Sequence, residues 1–365
     1  MPPHVARLLD LAVQIQQVPA PTFKEKKRAL LVRELFAAEN LQDIAMDQYH
    51  NVFARLPGRR QADPLIVTAH LDTVFPGRSN RLTREQDRIS GPGIGDNSLG
   101  VAALLGLVWM LRDAGKELDS DLWLVANSCE EGLGDLQGMK AVVGRFGADA
   151  RAYLVLEGTA LGQIYHRAVG ARRFRVTVKT TGGHSWSDYG QPSAVHELAA
   201  IITQLTALPL PTSPRTTMNV GTIAGGSGVN VLAANAQFEL DVRSEGADSL
   251  TTLVANVEAQ VRSARRNGVD VEMEVVGRRP AGAIPADHPL VQLAAECLAE
   301  VGLQATLTGG STDANIPLSR GLPAIVLGIT TGAGAHTLQE HIDTPPVATG
   351  MRQLLTLVTR LMQTG

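Results

Sequence analysis

The sequence predicts an α/β protein: a mostly parallel sheet with helices on both faces, into which an α+β domain is inserted. Three observations predict this. Short β-branched runs alternate with helical patterns in the first part of the chain, the texture changes to consecutive strands from Arg172, and a buried-strand pattern returns near the end.

Taken in order, PLIVTAH (64–70), a helix over 98–114, DLWLVANS (121–128), a helix around 136–145 and AYLVLE (152–157) read as βα units. Their uniformly apolar strands suit a parallel sheet covered on both faces. RFRVTVKT, MNVGTIAG, AQFELDVRS and VEMEVV then read as alternating strands, with helices near 192–206 and 247–266. The opening pattern of this segment, RRFRVTV, suits a sheet edge, and an unpaired edge tends to recruit a partner. A turn-rich stretch, GRRPAGAIPADHP (277–289), leads back to a helix and to a buried strand, PAIVLGI (323–329). The expected organisation is therefore one domain made of 1–169 and 279–365, with a second inserted at 170–278.

Composition agrees, since 365 residues at 44% hydrophobic exceed what a single core usually absorbs. A net charge of −3, with arginine pairs such as Arg172-Arg173 and Arg265-Arg266 scattered, offers no basic face for nucleic acid. Cys129 and Cys297 stand far apart without a CxxC partner, which points away from disulfides and thiolate zinc and toward a reducing compartment. The start, MPPHVARLLDLAVQIQQVPAPTF, reads as an amphipathic helix and a Pro-rich turn without signal-peptide features, so a cytoplasmic protein is expected. The apolar run Val101–Leu111 falls well short of the roughly 20 residues of a membrane span and reads as a buried helix.

Side chains just beyond the carboxyl ends of parallel strands point into the ligand crevice. LIVTAH ends in His70, with Asp72 two residues on; LWLVANS is followed by Cys129, Glu130 and Glu131; YLVLE ends in Glu157. Asp96 lies in GPGIGDNSLG before the apolar helix, and His336 follows PAIVLGI in GAGAHTLQEHID. Taken singly, HxD reads as a capped loop and a Glu pair as solvated surface. Together they aim two imidazoles and several carboxylates at one crevice, where the carboxylates repel one another unless divalent cations neutralise them. Such ligands suit zinc, with cobalt or manganese as alternatives, and the lack of thiolates points to a catalytic rather than a closed structural site.

The glycines of GPGIGDNSLG also invite a dinucleotide-binding reading. Against it, SNRLTREQDRIS is no buried strand, Pro92 interrupts the motif, and Asp96 sits where a pyrophosphate needs neutral donors. The glycines are better explained as room for a tight turn that delivers Asp96, with Asn97 or Ser98 capping the helix.

AHLDTVFP, GPGIGDNSLGVAALL, SCEEGLGDLQG, LVLEG, GGHSW and GAGAHTLQE, in this order and spacing, resemble the M20 metallopeptidases. That family includes glutamate carboxypeptidase, bacterial tripeptidase, aminoacylase and succinyl-diaminopimelate desuccinylase, and the match runs from about Val18 to the C-terminus. The resemblance implies two divalent ions per subunit, one on His70 and Glu157, the other on Glu131 and His336, with Asp96 bridging. It implies that Asp72 orients His70, that Glu130 is the general base, and that a cis peptide follows Asp96. A water between two cations is easily deprotonated, so Glu130 is expected to take its proton and return it to the leaving amine. His341 also neighbours Glu340, but the family pattern places the ligand four residues before the glutamate, which selects His336.

His184, in GGHSW, reads as a loop histidine on the residues alone; the resemblance implies that it stabilises the oxyanion in the neighbouring subunit of a homodimer. Asn230 and Arg243, in NVLAANAQFELDVR, match positions implied to bind the substrate near its carboxylate, although the proline usual shortly after the asparagine is absent. Arginine suits planar carboxylate recognition. Ser311 and Asp313, in GGSTDAN, either line the substrate site or serve as turn and capping residues. Cys129 has no evident basic partner and is expected to be packed, and His166, His196 and His288 have no motif support.

The expected activity is hydrolysis of a terminal amide bond in a small peptide. A carboxypeptidase comes first, because Glu157 in place of aspartate resembles the carboxypeptidase and deacylase branches more than the tripeptidase branch, and GGSTDAN and the HTLQEHID ending resemble peptidase relatives. N-acyl amino acid deacylase or desuccinylase is the alternative. An inactive binding protein of the same fold is disfavoured, because Glu130 is retained beside all five ligands.

Overall fold

The uniformly apolar runs at 122–127, 65–70, 152–157 and 324–328 form, in that order, the parallel centre of a nine-stranded sheet in the computed structural model, which describes residues 3–76 and 81–363. The sheet belongs to the first of two units, Met1–Ala168 with Ala283–Gly365; the second is Val169–Gly282. Val52–Leu56 and then Gln42–Met46 extend the sheet antiparallel on one side. On the other, Gln163–Ala168 joins Ala324–Gly328 antiparallel and carries Thr306–Gly310 parallel. Every residue of Leu65–His70 and Leu122–Asn127 is buried, as a sheet covered on both faces requires. His70 lies opposite Asn127 and Glu157 opposite Gly328, so the parallel strands finish at one edge and present their following loops together.

Helix Leu99–Asp113 is buried except at its last turn and packs on Pro3–Gln16 and Val347–Gln363. Gly106 allows the approach, since a Cβ there would stand 2.9 Å from a Leu8 methyl and 3.0 Å from that of Met351. Burying each Leu or Val of this helix contributes ~1.5–3 kcal/mol, which outweighs the ~1 kcal/mol that a helical glycine costs. The stretch Ile94–Asp113 has the length and hydropathy of a membrane span, but 89% of its apolar window is buried within the protein.

The second unit is a four-stranded antiparallel sheet in the order Thr216–Gly225, Asn235–Ser244, Gly170–Lys179, Asp270–Arg279. Helices Ala194–Thr206 and Ala247–Ser263 cover one face, over a core that includes Phe174, Val176, Val178, Phe238, Leu240 and Val242. This order corrects the expectation that RRFRVTV lies at an edge: Gly170–Lys179 is interior, and the edges are Thr216–Gly225 and Asp270–Arg279. The charges that suggested an edge are matched across the sheet. Arg173 pairs with Asp241 at 3.1 Å, Arg175 with Glu239 at 2.8 Å and Glu274 at 3.4 Å, and Lys179 with Glu272 at 2.8 Å. Cross-strand pairs of opposite charge stabilise a central strand whose outer face is polar.

Candidate metal centre

His70 and Glu157 are the last residues of their strands, and His70 is 2% exposed. Glu131 follows Leu122–Asn127 by a short loop, Asp96 sits in the turn before Leu99–Asp113, and His336 lies in the loop after Ala324–Gly328. His70 Nε2 stands 3.0 Å from Asp96 Oδ1 and 3.8 Å from Glu157 Oε2, while His336 Nε2 stands 3.0 Å from both Asp96 Oδ2 and Glu131 Oε1. The two oxygens of Asp96 therefore serve different imidazoles, and each imidazole has a second carboxylate of its own. Donors bound ~2.0–2.1 Å from a tetrahedral ion stand about 3.3 Å apart, close to most of these separations. The donor atoms of His70, Asp96 and Glu131 lie within 4.8 Å of one another. Mixed nitrogen and oxygen donors in two sets sharing one carboxylate fit a pair of divalent transition-metal ions.

Burial alone would raise Asp96, but hydrogen bonds with His336 and then His70 outweigh it and hold its carboxyl well below the usual range. Burial pushes Glu131 and Glu157 each up to about 7. Contact with Asp96 and Glu131 lifts His336 to about 10. Burial acts to lower His70, yet its hydrogen bonds with Asp72, Asp96 and Glu157 raise it well above the ordinary imidazole value.

Asp72, fully buried, contacts both His70 and the loop that follows Leu122–Asn127. His70 Nδ1 lies 3.0 Å from the Asp72 backbone carbonyl and 3.6 Å from the carboxylate. A carbonyl only accepts, so in the neutral ring Nδ1 carries the hydrogen and the Nε2 lone pair faces the carboxylates. The Asp72 carboxylate also accepts the backbone N–H groups of Glu130 and Glu131, each at 2.9 Å, and the Thr22 hydroxyl at 3.0 Å. One step along, buried Glu25 accepts the Cys129 N–H at 3.2 Å and holds that residue at φ 57°. Burial, with the charges of Glu25 and Asp72, pushes the Cys129 thiol up to about 12, which leaves it a packing group. The buried Arg28 donates to the carbonyls of Val18 and Leu71 at 2.8 and 2.7 Å. Burial lowers it to about 10, opposed by the charge of Asp72.

The expected helix caps are absent. Asn97 donates to Leu156 O at 2.8 Å and accepts the Gly158 N–H at 2.9 Å, bracketing Glu157, while Ser98 donates to Gly93 O at 2.6 Å. Neither caps Leu99–Asp113, because each side chain satisfies a backbone group outside the helix. The peptide between Asp96 and Asn97 is cis.

Asp313 is fully buried in the same region and accepts from Asn127 Nδ2 at 2.6 Å. Burial, followed by the negative charge of Glu130, holds its carboxyl well above the usual range. Ser311 is half-buried at the end of Thr306–Gly310. His166 and His288 take structural roles: His166 Nδ1 lies 2.7 Å from Ile284 O, and His288 accepts the Leu290 N–H at the start of Pro289–Glu300. Sequence reasoning gave no role to Glu25, Arg28 or Asn127, and it used Glu340 only as a landmark. Glu340 and Asn97 stand inside motifs already singled out; Glu25 and Arg28 carry no such signal.

In the second unit Gly183–His184 pairs with Val231–Leu232, and Ser185 N–H donates to Asn230 O at 3.0 Å, so exposed His184 and Asn230 lie side by side. His184 Nδ1 accepts the Trp186 N–H at 3.2 Å, so the neutral ring carries its hydrogen on Nε2. Arg243 donates to Asp241 at 2.6 Å and sits at the opposite end of Asn235–Ser244, roughly 25 Å away at ~3.4 Å per residue. Within this unit Arg243 is not brought to His184 and Asn230.

The model of peptidase family M20/M25/M40 matches residues 66–360. A putative succinyl-diaminopimelate desuccinylase of Mycobacterium tuberculosis is 27% identical over 92% of this chain and 93% of its own. A tripeptidase from Staphylococcus aureus superposes with a TM-score of 0.84 at 22% identity, covering 99% of each chain. A dinuclear metal-binding peptidase from Bacillus subtilis superposes with a TM-score of 0.71 at 16% identity, again covering 99% of each.

Proposed function

The chain belongs to peptidase family M20/M25/M40 and is a metallopeptidase or amidohydrolase of that family, and from this premise we propose that it hydrolyses the terminal amide bond of a small peptide as a carboxypeptidase-like exopeptidase. The observation that carries the metal-dependent hydrolysis in this reading is Asp96, with one oxygen 3.0 Å from His70 and the other 3.0 Å from His336. We assign His70 and Glu157 to one ion, Glu131 and His336 to the other, and Asp96 to both. Zinc is the first choice, cobalt or manganese the second. When bound, such a pair supplies Lewis acidity and a water that ionises near neutral pH.

The chain's own residues do the rest. Glu130, its backbone N–H fixed by Asp72, takes a proton from the attacking water and delivers it to the leaving nitrogen. Glu131 is kept to a separate task by its 3.0 Å contact with His336. His184 offers its Nε2–H to the developing oxyanion, and Asn230 and Arg243 hold the substrate carboxylate. Asp313 and Ser311 line the substrate side. The separation of Arg243 from His184 within one unit supports an arrangement in which they serve the sites of different subunits in a homodimer. Two free, buried cysteines support a cytoplasmic, reducing setting.

A second reading, N-acyl amino acid deacylation, is favoured by the 27% identity to the putative desuccinylase over 92% of the chain. A hydrolysis screen of zinc- and cobalt-loaded protein separates the two. Cleavage of free and N-acylated dipeptides that is lost on C-amidation is the carboxypeptidase result, and cleavage confined to N-acyl amino acids is the deacylase result. Protein holding two ions that hydrolyses none of these substrates would overturn both.

A further inference from the structure

Glu340 lies four residues after His336 and is 1% exposed. Its carboxylate reaches back across the site to the turn that carries Asp96. Oε2 accepts the backbone N–H of Gly93 at 2.7 Å, and Oε1 accepts those of Gly95 and Asp96, each at 2.8 Å. The Glu340 backbone carbonyl accepts the Gly91 N–H at 2.8 Å, and His341–Asp343 pairs with Arg88–Ser90, so the same segment also ties down the approach to the turn. Gly93 has φ 72°, a backbone conformation that glycine adopts without strain, and this lets the turn fold onto the carboxylate.

A buried carboxylate beside Asp96 repels it, so a packing role alone favours a neutral side chain here. Three charge-assisted N–H bonds offset that repulsion. Their geometry demands two acceptor oxygens: glutamine in this place keeps one oxygen for Gly95 and Asp96 but turns its amide N–H₂ against the Gly93 N–H, donor facing donor.

We propose that Glu340 is a positioning residue that clamps the 93–96 backbone and thereby sets the two oxygens of Asp96 toward His70 and His336. The inference rests on the metal-site reading above. Glu340 touches no reacting atom; it acts through Asp96. One short segment, 336–340, thus supplies a ligand to one ion and the clamp for the residue shared by both.

The test uses the full-length protein as wild type, Glu340→Gln and Glu340→Ala, with Gln339→Ala as an exposed neighbouring control. Backbone amide exchange at 91–98 is followed in metal-free protein, and zinc titration and the visible absorption of the cobalt-loaded protein are measured on the same samples. Loss of an outer partner of a metal ligand typically costs ~10–100-fold in affinity. Expected results are faster exchange at Gly93, Gly95 and Asp96, at least a tenfold loss of affinity for one of two ions, and an altered cobalt spectrum, with Gln milder than Ala and the control unchanged. General destabilisation lowers the melting temperature but leaves the spectrum of the loaded protein as it was. Unchanged exchange, affinity and spectrum in Glu340→Gln overturn the proposal. If the wild type itself binds no second ion, the metal-site reading fails, and the exchange data still decide whether the clamp exists. If neither variant folds, exchange in the metal-free wild type decides: protection of these three amides supports the clamp, and exchange at the rate of unbonded turn amides overturns it.

Discussion

Glu130 and Glu131 are consecutive carboxylates whose backbone N–H groups share one buried acceptor, Asp72, and the Glu131 carboxylate stands 3.0 Å from His336. If Glu130 carries the proton, Glu130→Gln retains both ions and the fold while turnover falls at least ~100-fold; near-normal turnover with two ions bound assigns the base elsewhere. The titrations make a second prediction. Glu131 and Glu157 near 7 and His336 near 10 all keep protons in the metal-free fold that the unfolded chain releases at lower pH. By linkage, metal-free protein loses stability as pH rises through roughly 4.5–10. Ligation requires those protons to leave, so the stabilisation conferred by zinc grows over the same interval. Melting curves with zinc and with chelator between about pH 5 and 9 should therefore diverge as pH rises, and parallel curves would contradict the ligand assignment.

Elements matter here mainly through where they end. The Ala152–Glu157 strand delivers Glu157, and the next residue, Gly158, passes so close to the Asp96 turn that a Cβ would stand 2.1 Å from Gly95 O. Gly158→Ala must push that turn away, at a cost of ~1–3 kcal/mol, and should weaken metal binding several-fold. Gly144→Ala, in helix Gln137–Phe146 with open space around the new methyl, should instead stabilise by up to ~1 kcal/mol and leave metal binding untouched. Equal metal affinity in the two variants would show that the strand end and the turn are not coupled. The second unit shows how an element's place escapes its own sequence. The polar face of Gly170–Lys179 looks like an edge until its partners Asp241, Glu239, Glu274 and Glu272 are known.

For the molecule as a whole, the consequential expectation is assembly. The edge strand Thr216–Gly225 is exposed along most of its length, with Ile223 62% exposed, and such an edge suits pairing with a second copy about a two-fold axis. If His184 serves the neighbouring site, Glu130→Gln and His184→Ala homodimers are each inactive. Heterodimers re-formed from them should recover about a quarter to a half of wild-type activity, since one of two sites then holds both intact groups. Subunit exchange is verified separately by mass or fluorescence; exchange without recovery, or full activity of His184→Ala alone, removes the role in trans.

The sequence by itself determined the fold class, because burial periodicity and the residues at strand ends are local properties that a parallel sheet converts directly into a shared edge, and the order and spacing of its motifs resemble the hydrolase family. It also named the side chains that converge there, His70, Asp96, Glu131, Glu157 and His336. Tertiary structure alone decided where the supporting polar groups go. Asp72 took the amides of Glu130 and Glu131 in addition to its contact with the His70 ring, Asn97 left its helix end for the backbone around Glu157, and Glu340 closed on amides some 245 residues earlier in the chain. A polar side chain satisfies whichever backbone group the fold leaves unpaired beside it, and that group is set by long-range packing. The order of strands in the second unit has the same cause. Periodicity states which face of a strand is buried, and only the assembled sheet states what lies to either side.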